Sequence, residues 1–241
     1  MRRTALVFVF MLFATSALVA QKTKPWLEWS MKETTKILND SAWGQTQLET
    51  KEASADSTAI TNTGSSRNMI PRDASKDSPG AITSYIKYYI RLLSARPVRQ
   101  AVVRKLLLDS PEMEAQQKEQ LKSFAEATTA DYIVVAVVAE AKDRSMGVAA
   151  MQAFKTATLD SLKNTTYLER KDGQRVQLAD FKPPVADGLG AKFVFPRTLN
   201  SEPFVVEDSG QLKFFSQLSK TIKLEARYRV SDMLYDGKLE Y

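Results

Sequence analysis

Between Ser78 and Leu108 the chain carries no acidic residue, yet Lys87, Arg91, Arg96, Arg99, Arg104 and Lys105 all fall there. A local excess of one charge is what a protein uses to hold an anionic lipid head group, a polysaccharide or another polyanion. Arg91, Arg96, Arg99, Arg104 and Lys105 are therefore the candidate ligand-binding residues. The competing account is a solvated face neutralised by the segment that follows, which offers Glu112, Glu114, Glu119 and Glu126. A second candidate group is aromatic. Trp26, Trp29 and Trp43 could line a groove or mark a contact with a partner, or they could pin a helix and its following loop to the core.

Catalytic patterns are weaker. Ser84-Tyr85-Ile86-Lys87 matches S-x-x-K, the acyl-enzyme signature of penicillin-recognising proteins, and Lys220-Thr221 and Ser231-Asp232 distantly echo its companions. The companions stand in reversed order, and Ser84 falls in a strand-like run rather than at a helix start. A carboxylate pair for glycoside hydrolysis needs no histidine. With 28 acids in the chain, however, pairs are inevitable, and none has a distinctive setting. No D-x-D-x-D-G calcium loop is present, and Asp172-Gly173 and Asp236-Gly237 read as turns. No catalytic residue, metal ligand or cofactor is nominated.

Composition narrows the chemistry further. The chain has 241 residues, no cysteine and no histidine. Disulfides, thiolate nucleophiles and Cys-ligated zinc are thereby excluded, as are the commonest neutral-pH general base and the commonest nitrogen ligand for metals. The net charge is +6; setting aside Arg2 and Arg3 leaves +4. That mild bias suits an anionic neighbour and does not call for nucleic acid.

The elements that must position these residues begin after a leader. Met1-Arg2-Arg3 is a short basic region, Thr4 to Ala20 is uncharged, and small residues gather between Ala14 and Ala20. This is the plan of a secretory signal, residues 1–20, cleaved near Ala17 to Ala20. An uncleaved N-terminal anchor is the alternative. No transmembrane segment is expected in the mature chain, and the expected address is periplasmic or secreted.

Residues 21–44 read as an N-terminal helical segment, with a helix from Pro25 to Leu38. Residues 45–80 read as a flexible linker or long surface loop, and residues 81–241 as one α+β domain. In that domain Ala81 to Ser94 alternates with period two and reads as a strand. Helices are expected from Pro97 to Leu108, from Ser110 as cap to about Thr128, and from Val148 to Leu162. The apolar run Asp131 to Ala139 reads as a buried central strand. Asp172-Gly173 reads as a hairpin turn between Thr165–Arg170 and Arg175–Leu178. Short strands are expected at 192–195, 204–207 and 212–215. From Ile222 to Val230 apolar and charged residues alternate strictly, which predicts a strand with one wet face. Helices in the first half and antiparallel strands in the second predict α+β, with helices packed on one face of an antiparallel sheet.

Several segments also carry a resemblance. Trp26-x-x-Trp29, Ile37-Leu38-Asn39-Asp40-Ser41-Ala42-Trp43, Leu93 to Ala101, and Asp232-Met233-Leu234-Tyr235-Asp236-Gly237-Lys238-Leu239-Glu240 together resemble a group of exported bacterial proteins with no assigned activity. The resemblance implies a bacterial envelope address and supplies no site residues. The expectation is therefore an exported binding or scaffolding protein, non-catalytic, with an anionic envelope component or another envelope protein as partner. The alternative is an envelope hydrolase that uses carboxylates on a glycoside or peptide.

Overall fold

The computed structural model describes residues 24–51, 60–61, 84–128 and 131–241. The expected leader, residues 1–20, lies outside them, as does most of the segment expected to link 45 to 80.

Pro25 opens only a 3-10 turn, Trp26–Glu28, rather than the helix predicted from Pro25 to Leu38. Ser30 makes the stronger start. Its hydroxyl accepts from the Glu33 N–H at 3.3 Å, and the Glu33 carboxylate accepts from the Ser30 N–H at 2.6 Å. This capping box opens α1 (Met31–Asn39). Gly44 then begins β1 (Gly44–Lys51). A Cβ on Gly44 would sit 2.3 Å from the Leu38 carbonyl oxygen, so only glycine lets helix end and strand start approach this closely. β1 falls within the range read as a linker, and the short β2 (Ile60–Thr61) pairs along it.

β3 (Ser84–Leu92) alternates as expected, with Ile86, Tyr88, Ile90 and Leu92 buried. α2 (Arg96–Asp109) has Pro97 in its first turn. The Ser110-Pro111 signal makes a turn instead of a helix start, and α3 (Ala115–Glu126) begins later, with Glu114 at its cap. β4 (Tyr132–Ala141) is the apolar run. The single helix predicted over 148–162 is two: α4 (Arg144–Thr156), whose start Asp143 caps, and α5 (Leu159–Leu162), opened by a second capping box at Thr158.

Strands dominate thereafter: β5 (Thr166–Arg170), β6 (Arg175–Gln177), β7 (Asp180–Lys182), β8 (Ala191–Pro196), and the short pair β9 (Thr198–Leu199) and β10 (Glu202–Pro203). Residues 204–207, read as a strand, are not one. Phe204 and Val205 are buried, and the Val206 N–H is taken by the Ser209 hydroxyl at 2.9 Å, which turns the chain before any ladder forms. β11 (Gln211–Gln217), β12 (Lys223–Arg229) and the hairpin β13 (Leu234–Tyr235) and β14 (Lys238–Leu239) complete the chain.

The fold is α+β with antiparallel sheets. One sheet runs β2-β1-β3-β4-β8-β7 and a second runs β12-β11-β5-β6. They pack face to face. Phe214 of the second sheet meets Phe193 and Phe195 of the first at ring-centroid distances of 5.3 and 6.1 Å. The fully buried Tyr228 donates to the Ile90 carbonyl at 3.2 Å. Alternation thus sends one face of β11 and β12 inward and leaves the other outward.

Along one side the sheets are stitched by side chains. The Gln47 amide donates to the Lys223 carbonyl at 2.6 Å and accepts from the Glu225 N–H at 2.8 Å. Gln45 does the same for the Arg227 carbonyl and N–H. Two glutamines of β1 therefore satisfy the free edge of β12 as a neighbouring strand would. α2 packs against both α1 and α3, and α1 packs also against β1 and β3. Among the described residues no helix is long and apolar enough to cross a membrane.

Candidate ligand-binding surface

The basic stretch turns largely inward. Arg91 donates through Nε to the Leu38 carbonyl at 3.0 Å and through Nη2 to Asn39 Oδ1 at 2.8 Å. Its guanidinium thus serves the C-terminal end of α1, and burial lowers its pKa to about 10. Arg99 is 3% exposed and donates to the Ser94 and Ala127 carbonyls, the second at the end of α3. Burial lowers its pKa also. Arg104 donates to the Trp29 carbonyl at 2.6 Å.

The last carbonyls of a helix lack intrahelical partners and carry partial negative charge. Neither α1 nor α3 ends on a glycine cap, and arginines from other segments do that work. Arg96 pairs with Asp236 at 3.1 Å and Glu240 at 3.3 Å, and its guanidinium lies 5.0 Å from the Tyr235 ring centre. Lys105 pairs with Asp109 one turn on. The five candidate cations all have partners within the protein.

The tryptophans gather at the same end. Trp43 donates to the Glu240 carbonyl at 2.7 Å and meets Tyr235 edge-on, with ring centres 6.1 Å apart. The Tyr235 hydroxyl donates to Gln100 at 2.7 Å. Trp29 is buried and donates to the Lys24 carbonyl; Trp26 is half-buried against the core. Trp29, Ile37 and Tyr235 line a shallow cleft of 280 Å³, with Lys24, Glu33 and Lys36 at its rim. The Ser30 N–H first, and then Lys24, hold the Glu33 carboxyl down at about 2. The segments that carry the resemblance, distant in sequence, converge here.

The S-x-x-K pair does not assemble. On a strand, residues three apart face opposite sides. Ser84 bonds to Asp143 at 3.3 Å, while Lys87 lies 5.4 Å from the Tyr85 ring centre. Glu49 is the one described carboxyl pushed to about 7, and burial is the cause. It is 6% exposed, accepts from the Gln47 amide at 3.0 Å, and is sealed between the sheets beside Tyr88.

The outward face of the four-stranded sheet has a different character. Register places Gln177, Tyr167, Phe215 and Glu225 in one row across β6, β5, β11 and β12. Arg175, Glu169, Lys213 and Arg227 form the next. Tyr167 and Phe215 stack, with centres 5.1 Å apart and planes at 21°. Arg175 lies 4.1 Å from the Tyr167 ring centre; Lys223 and Lys213 lie 5.2 and 5.5 Å from that of Phe215. A ladder of cation, ring, ring and cation therefore crosses the sheet.

Glu169 accepts from Arg175, and Glu225 lies 3.9 Å from both Lys213 and Lys223. With Arg227 and Arg229 the face carries five cations, and Asp232, 3.6 Å from Arg229, brings the carboxylates paired with them to three. Arg175 and Lys223 remain largely in solvent, 48% and 43% exposed, whereas Lys213 is about three-quarters covered, 23% exposed.

Sequence reasoning passed over this face. A signal existed: in β11 the inward phase is Leu212, Phe214 and Ser216, so Phe215 sits among the polar outward residues. That it meets Tyr167, far away in the chain, depends on register that alternation alone does not specify. No family model, curated protein or solved structure matches this chain.

Proposed function

We propose that this is an exported, non-catalytic binding or scaffolding protein of the bacterial envelope, and that it holds an anionic envelope component on the outward face of its four-stranded sheet. The observation that supports this reading is the cation–ring–ring–cation ladder with its surplus of positive charge. Such a face attracts anions at long range and offers rigid, pre-positioned contacts at short range, because its side chains stand on a hydrogen-bonded sheet. The sequence-nominated arginines are poorer seats. Their donors already hold carbonyls and carboxylates, and a ligand would have to displace those bonds. Export rests on the leader pattern and on the resemblance to exported proteins.

The test is retention on anionic material. Wild-type protein should cosediment with phosphatidylglycerol vesicles or be retained by an immobilised polyuronate. Reversing three charges together (Arg175→Glu, Lys213→Glu and Lys223→Glu) should reduce that retention at least tenfold. Retention unchanged by the triple reversal overturns the assignment of this face.

A further inference from the structure

We infer that the ligand of this face is an acidic polysaccharide, a hydroxyl-rich chain bearing carboxylates, laid across the strands. The inference rests on the reading that this face is the ligand seat, and it names the chemistry.

The first reason is mixed polarity. A phosphate-rich surface is held by each nearby Lys or Arg and gains nothing from carboxylates. Yet Glu169 stands on the interior strand β5 between Arg175 and Lys213, and Glu225 on the edge strand β12 opposite Phe215 and beside Lys213. A sugar uses both signs. Its hydroxyls donate to carboxylates and accept from ammonium and guanidinium groups, while its own carboxylates answer the surplus positive charge. Gln177, outward on the same sheet, adds an amide that both donates and accepts.

The second reason is the rings. Tyr167 and Phe215 turn their faces to each other and to the flanking cations, so what they show to solvent is apolar edge. The Tyr167 hydroxyl has no hydrogen-bond partner among the described residues, and it is a donor and acceptor at the edge of an apolar body. That combination suits a ligand that alternates C–H and O–H groups.

The third reason is extent. From β6 to β12 the ladder spans three interstrand gaps, roughly 14 Å at the ordinary spacing. A single head group would meet one end of it, whereas an extended chain meets both. Proteins that dock on lipid commonly sink apolar side chains into the head-group boundary. The two large apolar groups of this face, Tyr167 and Phe215, are instead half-buried and flanked by charges.

The experiment uses the purified full chain with three probes: polygalacturonate, neutral dextran, and phosphatidylglycerol vesicles. Affinity electrophoresis in polygalacturonate should retard the wild type, and dextran should not. The double change Lys213→Gln with Lys223→Gln should weaken polygalacturonate binding at least tenfold with an unchanged melting curve. Tyr167→Phe, which deletes only the hydroxyl, should weaken it several-fold. Vesicle binding that depends on the same lysines, without polygalacturonate binding, overturns the saccharide inference and leaves the seat standing. Indifference of both probes to the lysine changes overturns the seat and the inference together.

Discussion

At the helical end, Arg91, Arg99 and Arg104 aim their guanidinium groups at main-chain carbonyls. On the four-stranded sheet, Arg175, Lys213 and Lys223 stand beside aromatic rings on the outward face. Both regions are basic, but only the first is visible as a run in the sequence. The comparison shows that charge density along the chain is a poor guide to charge displayed in space. A run of cations on and beside a buried helix meets whatever unpartnered acceptors the neighbouring helix ends leave. Cations spread over alternate positions of three strands look sparse in sequence, and the pleat collects them on one face.

The largest effect expected from this contrast is at Arg99. Arg99→Met keeps an unbranched side chain but strips a charged donor from the buried Ser94 carbonyl and from the more exposed Ala127 carbonyl. Hydrogen bonds from charged groups contribute about 1.5–3 kcal/mol, and a buried acceptor left alone costs about 1–3 kcal/mol. Urea unfolding should show a loss of about 3 kcal/mol, with α3 the first helix to lose amide protection. A loss under about 1 kcal/mol would place Arg99 with the displayed cations and break the comparison.

An intermediate effect sits at the seam between the two sheets, where Glu49 holds the Gln47 amide that in turn holds β12. Its raised pKa has a definite sign. An unfolded chain releases this proton near the ordinary glutamate value, 4.5, whereas the folded protein keeps it up to about 7. Glu49 therefore favours the fold most at or below pH 4.5, and that advantage falls away as the pH rises from 4.5 through 7. Discounted for residual hydration, the loss is roughly 2 kcal/mol. Glu49→Gln should match the wild type at pH 4.5 and exceed its stability by that amount at pH 8. Parallel stability curves for the two proteins would show that this carboxyl is not the one titrating.

Local elements were readable where local chemistry decides them. Asp172-Gly173 forms the predicted hairpin with Gly173 at φ +85°, and Asp236-Gly237 turns with both residues at positive φ. The alternation of 222–230 and the apolar run at 131–139 became β12 and the interior strand β4. Misreadings arose where two local signals competed. Ser30 and Thr158 supply complete capping boxes, so they cut the helices predicted to run through them, and Pro25 was left with a single 3-10 turn. Gln45 and Gln47 read as polar linker, but their polarity serves the edge of β12 across nearly the whole length of the chain. The ring pair depends in the same way on register between β5 and β11. Which acceptor an arginine finds, and which ring a strand meets, are facts of tertiary packing.

The smallest effects belong to the displayed cations, and they sharpen the comparison most. Arg175→Gln, Lys213→Gln and Lys223→Gln, made singly, should each change stability by about 0.5 kcal/mol or less. Exposed ion pairs contribute about 0.2–1 kcal/mol and exposed cation–ring contacts about 0.5–1, but long side chains lose rotamer freedom in making them, and salt screens the charges. Glu225 also retains Arg227 at 2.7 Å when either lysine is removed, so no charge is stranded. If one of these changes destabilised the protein by as much as Arg99→Met, the ladder would be a structural clasp like the arginine caps. Its surplus charge would then lose its claim to be reserved for a ligand. Near-neutral stability together with the tenfold binding losses expected above is the pattern that separates a displayed surface from a buried one.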